Sequence, residues 1–343
     1  MNMRYMIWNN KGGVGKTFLT YVIATEYAIK HPEKRVAVVD MCPQANVSEM
    51  LLGGNGTGEK NLAEYASNGK TIAGYIKERY ARSRNSRLGT ESGYYCHVVT
   101  KNPEMPRNLY LLPGDVDLDI CSSLISYMGQ APEKQAWRNS RMLLDDVIGA
   151  FENEHRDTVV FIDCNPSFAV YTEMAVVAAR ELIIPCTADT ASIRGILNVF
   201  RLIYGINAYH LLGIKQDVDD SFFTFSETAS AQGLTSPKVR MIVLNKSRSL
   251  DAKATRAWQA HSQQIREIMA KIHTAYEDCF RDVEELIYDI KDGNTLATIA
   301  NHCGLPISSM SQGEYDIYGC STMANQTQID AIQSQLDVLV ASL

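Results

Sequence analysis

Lys11-Gly12-Gly13-Val14-Gly15-Lys16-Thr17 stands directly after an apolar run, Met3 to Trp8, and directly before a helical pattern, Phe18 to Ile29. A strand, a glycine-rich turn and a helix in that order make an anion cradle. Glycine tolerates positive φ and has no side chain to bar close approach, so successive backbone N–H groups turn inward around phosphate oxygens. The helix that follows aims the positive end of its dipole at the same place. Lys16 supplies a point charge for the β- and γ-phosphates, and the Thr17 hydroxyl is the expected Mg2+ ligand. Gly12, Gly13, Val14, Gly15 and Phe18 complete the stretch expected to touch a nucleotide.

The rest of the chain supplies a sheet to carry such a loop. Apolar runs at Arg35 to Asp40, Leu109 to Pro113, Thr158 to Asp163, Leu182 to Pro185 and Val239 to Asn245 read as buried strands. Helical stretches such as Arg141 to Phe151, Thr172 to Arg180 and Ile193 to Ala208 lie between them. Continuous apolar strands separated by helices imply an α/β fold, a doubly wound and mostly parallel sheet with helices on both faces. Ligands in such sheets bind at the carboxyl ends of the strands, where Asn10, Asp40, Asp163 and Asn245 all fall.

Two stretches break the alternation. Residues 53–106 are rich in Gly, Asn, Ser and Tyr, with Lys77, Arg79, Arg82, Arg84 and Arg87 clustered near Glu78, and read as an insertion with helix over Leu62 to Tyr80. Lys253 to Ile290 reads as helical throughout, with Trp258, Ile265, Ile268, Met269, Ile272, Phe280, Val283 and Leu286 as its apolar face. The whole of 1–343 is expected to form one domain.

Composition excludes several classes. Hydrophobic content of 45% and charged content of 21% are those of a globular protein with an extensive core. A formal net charge of −6 argues against wholesale coating by nucleic acid while leaving room for a local basic face. No apolar stretch approaches the ~18 residues of a membrane span, and no signal-like segment opens the chain, so a cytoplasmic protein is expected. The eight cysteines include no C-x-x-C pair, and the seven histidines have no metal-ligand spacing.

The loop departs from the common G-x-x-x-x-G-K-[ST] pattern: Asn10 replaces its first glycine and Lys11 adds a second lysine. In this it resembles the deviant Walker A loop of the ParA/MinD/nitrogenase-iron-protein group of P-loop NTPases. In that group the lysine matching Lys11 reaches across a dimer interface to the partner's nucleotide. Val38-Val39-Asp40-Met41-Cys42-Pro43-Gln44-Ala45-Asn46 resembles the group's switch segment D-x-D-P-Q-x-N, except that Cys42 stands where the second aspartate would. A neutral thiol does not accept a water proton as a carboxylate does, and loss of general-base help costs a rate about 10² to 10⁴-fold. Cys42 could instead be packing while Asp40 does the work. Positioning and charge neutralisation by Lys11, Lys16 and Mg2+ would then sustain slow turnover.

Val159-Val160-Phe161-Ile162-Asp163-Cys164-Asn165-Pro166-Ser167 resembles a Walker B strand closing on D-x-P-P-S, with Asn165 as the departure. Asp163 is thereby implied as a Mg2+ holder beside Thr17 and Asp40; the alternative is a helix cap. Asn245 resembles the strand-end Asn that reads the adenine edge, or is a turn residue. Gly304-Leu305-Pro306-Ile307 resembles a loop that lies beside the base, which places Pro306 in the nucleotide set.

The resemblance implies ATP or ADP with Mg2+, a homodimer closing on ATP, nonspecific DNA binding and a partner protein that stimulates hydrolysis, in plasmid or chromosome partition or cargo positioning. The candidate DNA residues are Lys238, Arg240, Lys246 and Arg248, with Lys253 and Arg256 beside them, and phosphate contacts need no base code. Two alternatives stand beside it. One is a nucleotide-gated dimeric scaffold with little hydrolysis, motivated by Cys42. The other is a MinD-like positioning ATPase, which needs a basic amphipathic tail. The helix over Gln326 to Leu343 has Ile329, Ile332, Leu336 and Leu339 on one face but no Lys or Arg, which fits core packing instead.

Overall fold

The computed structural model describes residues 2–82, 89–213, 225–246, 252–291 and 293–343. Eight strands form one sheet: β1 (Met3–Ile7), β2 (Arg35–Met41), β3 (Cys96–His97), β4 (Leu109–Leu112), β5 (Thr158–Cys164), β6 (Glu181–Thr187), β7 (Lys238–Lys246) and β8 (Ile287–Lys291). Their order is β3-β4-β2-β5-β1-β6-β7-β8, and each pairing is parallel apart from β3 with β4. The helices are α1 (Lys16–Lys30), α2 (Asn46–Leu52), α3 (Thr57–Ser67), α4 (Ile72–Arg82), α5 (Leu118–Gly129), α6 (Ala136–Arg141), α7 (Leu143–Glu154), α8 (Val170–Ala178), α9 (Thr190–Tyr204), α10 (Phe225–Ala231), α11 (Ala252–Ala275), α12 (Asn294–Cys303) and α13 (Gln326–Ala341). A separate antiparallel hairpin, β9 (Gly313–Ile317) and β10 (Cys320–Ala324), packs against α12.

The central strands are apolar on both sides because both faces of the sheet are covered. Met6, Val39, Ile162 and Ile184 face a layer that includes Ile125 of α5, Leu144 of α7, Met174 of α8, Phe200 of α9 and Met269 of α11. Their neighbours Tyr5, Val38, Phe161 and Ile183 face Val22 of α1, Leu51 of α2, Ile299 of α12 and Leu336 of α13. α13 buries Ile329, Ile332, Leu336 and Leu339, so it is core packing, as its pattern suggested. No helix among the described residues is long and apolar enough to cross a membrane.

Two expected elements are corrected. The helix over Leu62 to Tyr80 is two helices, α3 and α4, parted at Asn68-Gly69-Lys70, where Gly69 turns the chain at φ 63°. Residues 253–290 are not helical throughout: α11 ends at Ala275, a short 3-10 turn covers Glu277–Cys279, and β8 pairs in parallel with β7, Ile242 opposite Ile287 and Leu244 opposite Asp289. The apolar positions of Ile287-Tyr288-Asp289-Ile290 suit a helix as well as a strand, and the open edge of β7 decides between them. The 53–106 stretch also gives the sheet its antiparallel edge, with Cys96 opposite Leu111. Arg84 and Arg87 lie outside the described residues.

Candidate functional site

Register brings the site together at one edge of the sheet. Ile7, Asp163 and Asp40 are aligned across β1, β5 and β2, so the loop leaving β1 passes directly over both carboxylates. Gly13 and Gly15 have φ of 72° and 84°, in the left-handed region that side chains disfavour. Gly15 is also the N-cap of α1 and makes no side-chain capping bond, leaving the N–H groups of the first turn for an anion. Lys16 is buried, and its Nζ donates to the Lys11 carbonyl at 2.8 Å; burial pulls its pKa down while Asp163 opposes that.

Asp163 is fully buried, with Oδ2 accepting from the Thr17 hydroxyl at 2.9 Å and Oδ1 from the Thr20 hydroxyl at 3.0 Å. Asp40, equally buried, accepts from the Ser48 hydroxyl at 2.7 Å and from the Ser48 and Cys42 N–H groups at 3.1 Å each. Burial, reinforced at Asp40 by the Asp163 charge, raises the pKa of both carboxyls. Two buried acids side by side with a hydroxyl form a hard-oxygen set, and a dication would supply the charge they lack. Thr17, Asp163 and Asp40 therefore fit Mg2+. No cluster of three or more Asp, Glu, His or Cys among the described residues forms a metal cage, in keeping with an ion held by one or two carboxylates and nucleotide phosphates.

The structure places Cys42 half-buried beside this set, where burial and then Asp40 push its thiol up to about 12. The thiol is neutral at physiological pH and is no general base. Asp40 is held by three hydrogen bonds, which suits a structural and ion-holding part more than proton abstraction.

Lys11 is bound within its own chain. Its Nζ donates to Asp189 Oδ2 at 2.5 Å, Thr187 Oγ1 at 2.8 Å and Ser192 Oγ at 3.2 Å. Asp189 is the N-cap of α9, accepting from the Ser192 N–H at 2.8 Å. Sequence reading did not single out Thr187, Asp189 or Ser192. The signal was the cap pattern Asp189-Thr190-Ala191-Ser192 after a strand. Ser48 and Thr20 were missed too, since lone hydroxyls on helices carry no pattern.

Asn10, in place of a loop glycine, donates to the Pro166 carbonyl at 3.2 Å and accepts from Asn198 of α9 at 3.2 Å. Trp8 Nε1 donates to the Asn165 carbonyl at 2.9 Å. The loop after β5 is thereby tied to the phosphate loop and to α9.

Other expected positions fare differently. A Cβ on Gly15 would lie 2.7 Å from Asn245 Nδ2, so the Asn245 amide lies against the cradle. Pro306 is not brought to the loop. The Ser308 N–H donates to Glu26 Oε1 at 2.9 Å, ten residues along α1 from Lys16 and hence about 15 Å away at 1.5 Å per residue. Asn102 holds that segment by donating to the Gly304 carbonyl at 2.9 Å.

Of the four DNA candidates, Lys238 and Lys246 do not stand together along the chain. Lys238 and Lys246 sit at opposite ends of β7, about 26 Å apart at 3.3 Å per residue. Arg240 Nε donates to the Ser342 carbonyl at 3.0 Å and lies 3.7 Å from buried Glu181, so it serves the fold. Lys238 is exposed, as is Arg256 on α11, while Arg248 lies outside the described residues.

Several known proteins are similar to this chain. The chromosome partitioning protein ParA of Caulobacter vibrioides is 28% identical over 197 residues, 57% of this chain and 60% of that protein. A ParA family protein of Chlamydia trachomatis is 26% identical over 207 residues, 60% of this chain and 66% of that protein. The chain thus matches less than two thirds of the length of these curated relatives. Among solved structures, an ATP complex of a McdA variant from Cyanothece superposes with a TM-score of 0.55 at 13% identity, covering 98% of this chain and 96% of that one. A putative plasmid partition protein from Borrelia burgdorferi bound to AMPPNP gives 0.54 at 15% identity, covering 100% and 99%. Both show the same fold. A family model described as an AAA domain matches residues 4–215, more than half of the chain. The chain therefore belongs to this AAA-domain family, within the ParA/MinD group of P-loop NTPases.

Proposed function

We propose that this protein is a ParA-like ATPase that binds ATP with Mg2+ through residues 11–18 and closes into a nucleotide-sandwich dimer. The observation that carries the reading is the convergence of the positive-φ loop, Lys16, Thr17 and the paired acids Asp40 and Asp163 at one sheet edge. The loop amides and Lys16 hold the phosphates. Thr17, Asp163 and Asp40 would hold Mg2+, which when bound would supply neutralisation of the phosphate charge. Lys11, once released from Asp189, is the residue proposed to contact a second protomer's nucleotide. The chromosome-partitioning name of one relative supports a role in partition; cargo positioning, DNA binding and a stimulating partner protein are what the resemblance of the loop and switch segment implies. Lys246, Arg248, Lys253 and Arg256 are the proposed DNA-contacting residues, without Lys238 and Arg240.

A second reading is a nucleotide-gated scaffold with little turnover, favoured by the neutral Cys42 thiol. Calorimetry with Mg-ATP, followed by steady-state phosphate release with and without DNA, tests both. ATP binding lost in Lys16→Ala supports the site. Phosphate release that rises about 10² to 10⁴-fold in Cys42→Asp supports the scaffold reading of the native chain, whereas equal rates refute it.

A further inference from the structure

We propose that α9 positions Lys11 through Gly195, which sets the pivot from which that lysine crosses to a second protomer; this rests on the sandwich reading above. Asp189, the cap of α9, and Ser192, Gly195 and Asn198 within it recur at every third position and so share one flank of the helix. All four meet the stretch Asn9-Asn10-Lys11. Asp189 Oδ2 and Ser192 Oγ hold the Lys11 Nζ at 2.5 and 3.2 Å, and Asn198 Nδ2 donates to Asn10 Oδ1 at 3.2 Å. Between them Gly195 lies against the root of the lysine: a Cβ there would stand 3.4 Å from Lys11 Cβ and 2.6 Å from Asn9 Oδ1. The Lys11 side chain is thus laid along the opening turns of α9, with the cap at its tip and a glycine at its root.

A side chain at 195 has no room. Asn9 is fully buried, its Nδ2 donates to the Pro185 carbonyl at 2.8 Å and its Oδ1 accepts from the Lys11 N–H at 3.0 Å, so the amide facing Gly195 is fixed through both its polar atoms. An added methyl pushes that oxygen aside, and the Lys11 N–H loses its acceptor. The helix itself gives no reason for glycine here, since alanine is the better helix former and Gly195 is not among the residues of positive φ. Close approach is the reason. Its consequence is mechanical: with its N–H bound by Asn9 and its Cβ against α9, Lys11 exchanges Asp189 for a new partner by side-chain rotation, while residues 12–17 keep their grip on phosphate. The atoms nearest a Cβ at 195 belong to Asn9 and Lys11, so pivot and cradle are separable.

Calorimetry with Mg-ATP and sedimentation with Mg-AMPPNP test this on the full chain, comparing native protein, Gly195→Ala, Gly149→Ala and Lys11→Ala. Gly149 of α7 is the matched control, since a Cβ there meets only Arg4 Nη2 at an ordinary 3.8 Å. Gly195→Ala is expected to keep native ATP affinity and to weaken the AMPPNP dimer about tenfold, the scale of one buried donor left without its acceptor, while Gly149→Ala changes neither. A dimer of native strength in Gly195→Ala overturns the proposal. So does an equal loss of ATP affinity, which makes the glycine a structural support of the cradle. If the native chain does not dimerise, or Lys11→Ala dimerises as well as it does, the sandwich reading fails and takes the pivot with it. Should Gly195→Ala not fold, Asn198→Ala, which cuts only the bond to Asn10, decides by the same split: a weaker dimer at native ATP affinity supports the grip of α9, and an unchanged dimer overturns it.

Discussion

Asp189→Asn is expected to strengthen ATP-dependent dimerisation. The substitution keeps a side-chain acceptor for the Ser192 N–H, and Asn caps helices as well as Asp, so α9 retains its start. What it removes is the charge that holds Lys11 at home. The same hold acts on Asp189: burial opposes its ionisation, but bonds from Lys11, Thr187 and the Ser192 N–H outweigh it and lower its pKa to about 2. The two side chains are 24% and 43% exposed, so solvent screens the pair and about 1 kcal/mol is the appropriate scale. A sandwich dimer breaks the contact twice, giving about 2 kcal/mol or roughly a thirtyfold tighter dimer. Sedimentation with Mg-AMPPNP, comparing native chain, Asp189→Asn and Lys11→Ala, reads this directly. A dimer no tighter in Asp189→Asn, or one fully retained in Lys11→Ala, refutes the idea that Lys11 leaves Asp189 to cross the interface.

Four further outcomes are expected. Because burial raises the pKa of Asp40 and Asp163, their contribution to stability is full below the ordinary carboxylate range and is lost as pH rises through their elevated values. Thermal melts should therefore show the midpoint falling toward neutral pH, a slope that Asp40→Asn flattens. Asp163→Asn should sharply weaken the Mg2+ dependence of ATP affinity in calorimetry, since it removes one of the two carboxylates beside Thr17 and leaves Asp40 as the only one. Gly114→Ala should destabilise by about 1–3 kcal/mol in urea unfolding, because its Cβ would lie 2.8 Å from Asp40 Cγ and 2.9 Å from Ala45 Cβ. Ser48→Ala should cost about 1–3 kcal/mol in the same assay by stripping the buried Asp40 carboxylate of its shortest bond and the Gly114 N–H of its acceptor at 2.9 Å.

The strands and the phosphate loop were legible because their signals are local: continuous apolar runs ending in Asp40, Asp163 and Asn245, and glycines where φ turns positive. What was not legible depended on what lies next door. β8 is a strand because β7 has an edge to pair, and no periodicity in Ile287–Lys291 states that. Lys238 and Lys246 are close in sequence yet lie at opposite ends of an extended element, so nearness along the chain does not set nearness in space there. Lys11 was read as a residue for a partner, and its own-chain bonds with Thr187, Asp189 and Ser192 arise from a strand crossover that brings distant segments together. Pro306 carried a motif whose neighbours, Asn102 and Glu26, pull it down the flank of α1.

The hydrogen bond from Thr17 to Asp163 has a bearing on kinetics. In donating its proton to the carboxylate, the hydroxyl keeps its oxygen lone pairs for a cation, so the metal can arrive without that bond being undone. Little of the pocket must rearrange on loading. The speed of entry is then governed by how reluctantly magnesium sheds water, and a faster-exchanging ion of similar size such as manganese should load sooner at equal concentration.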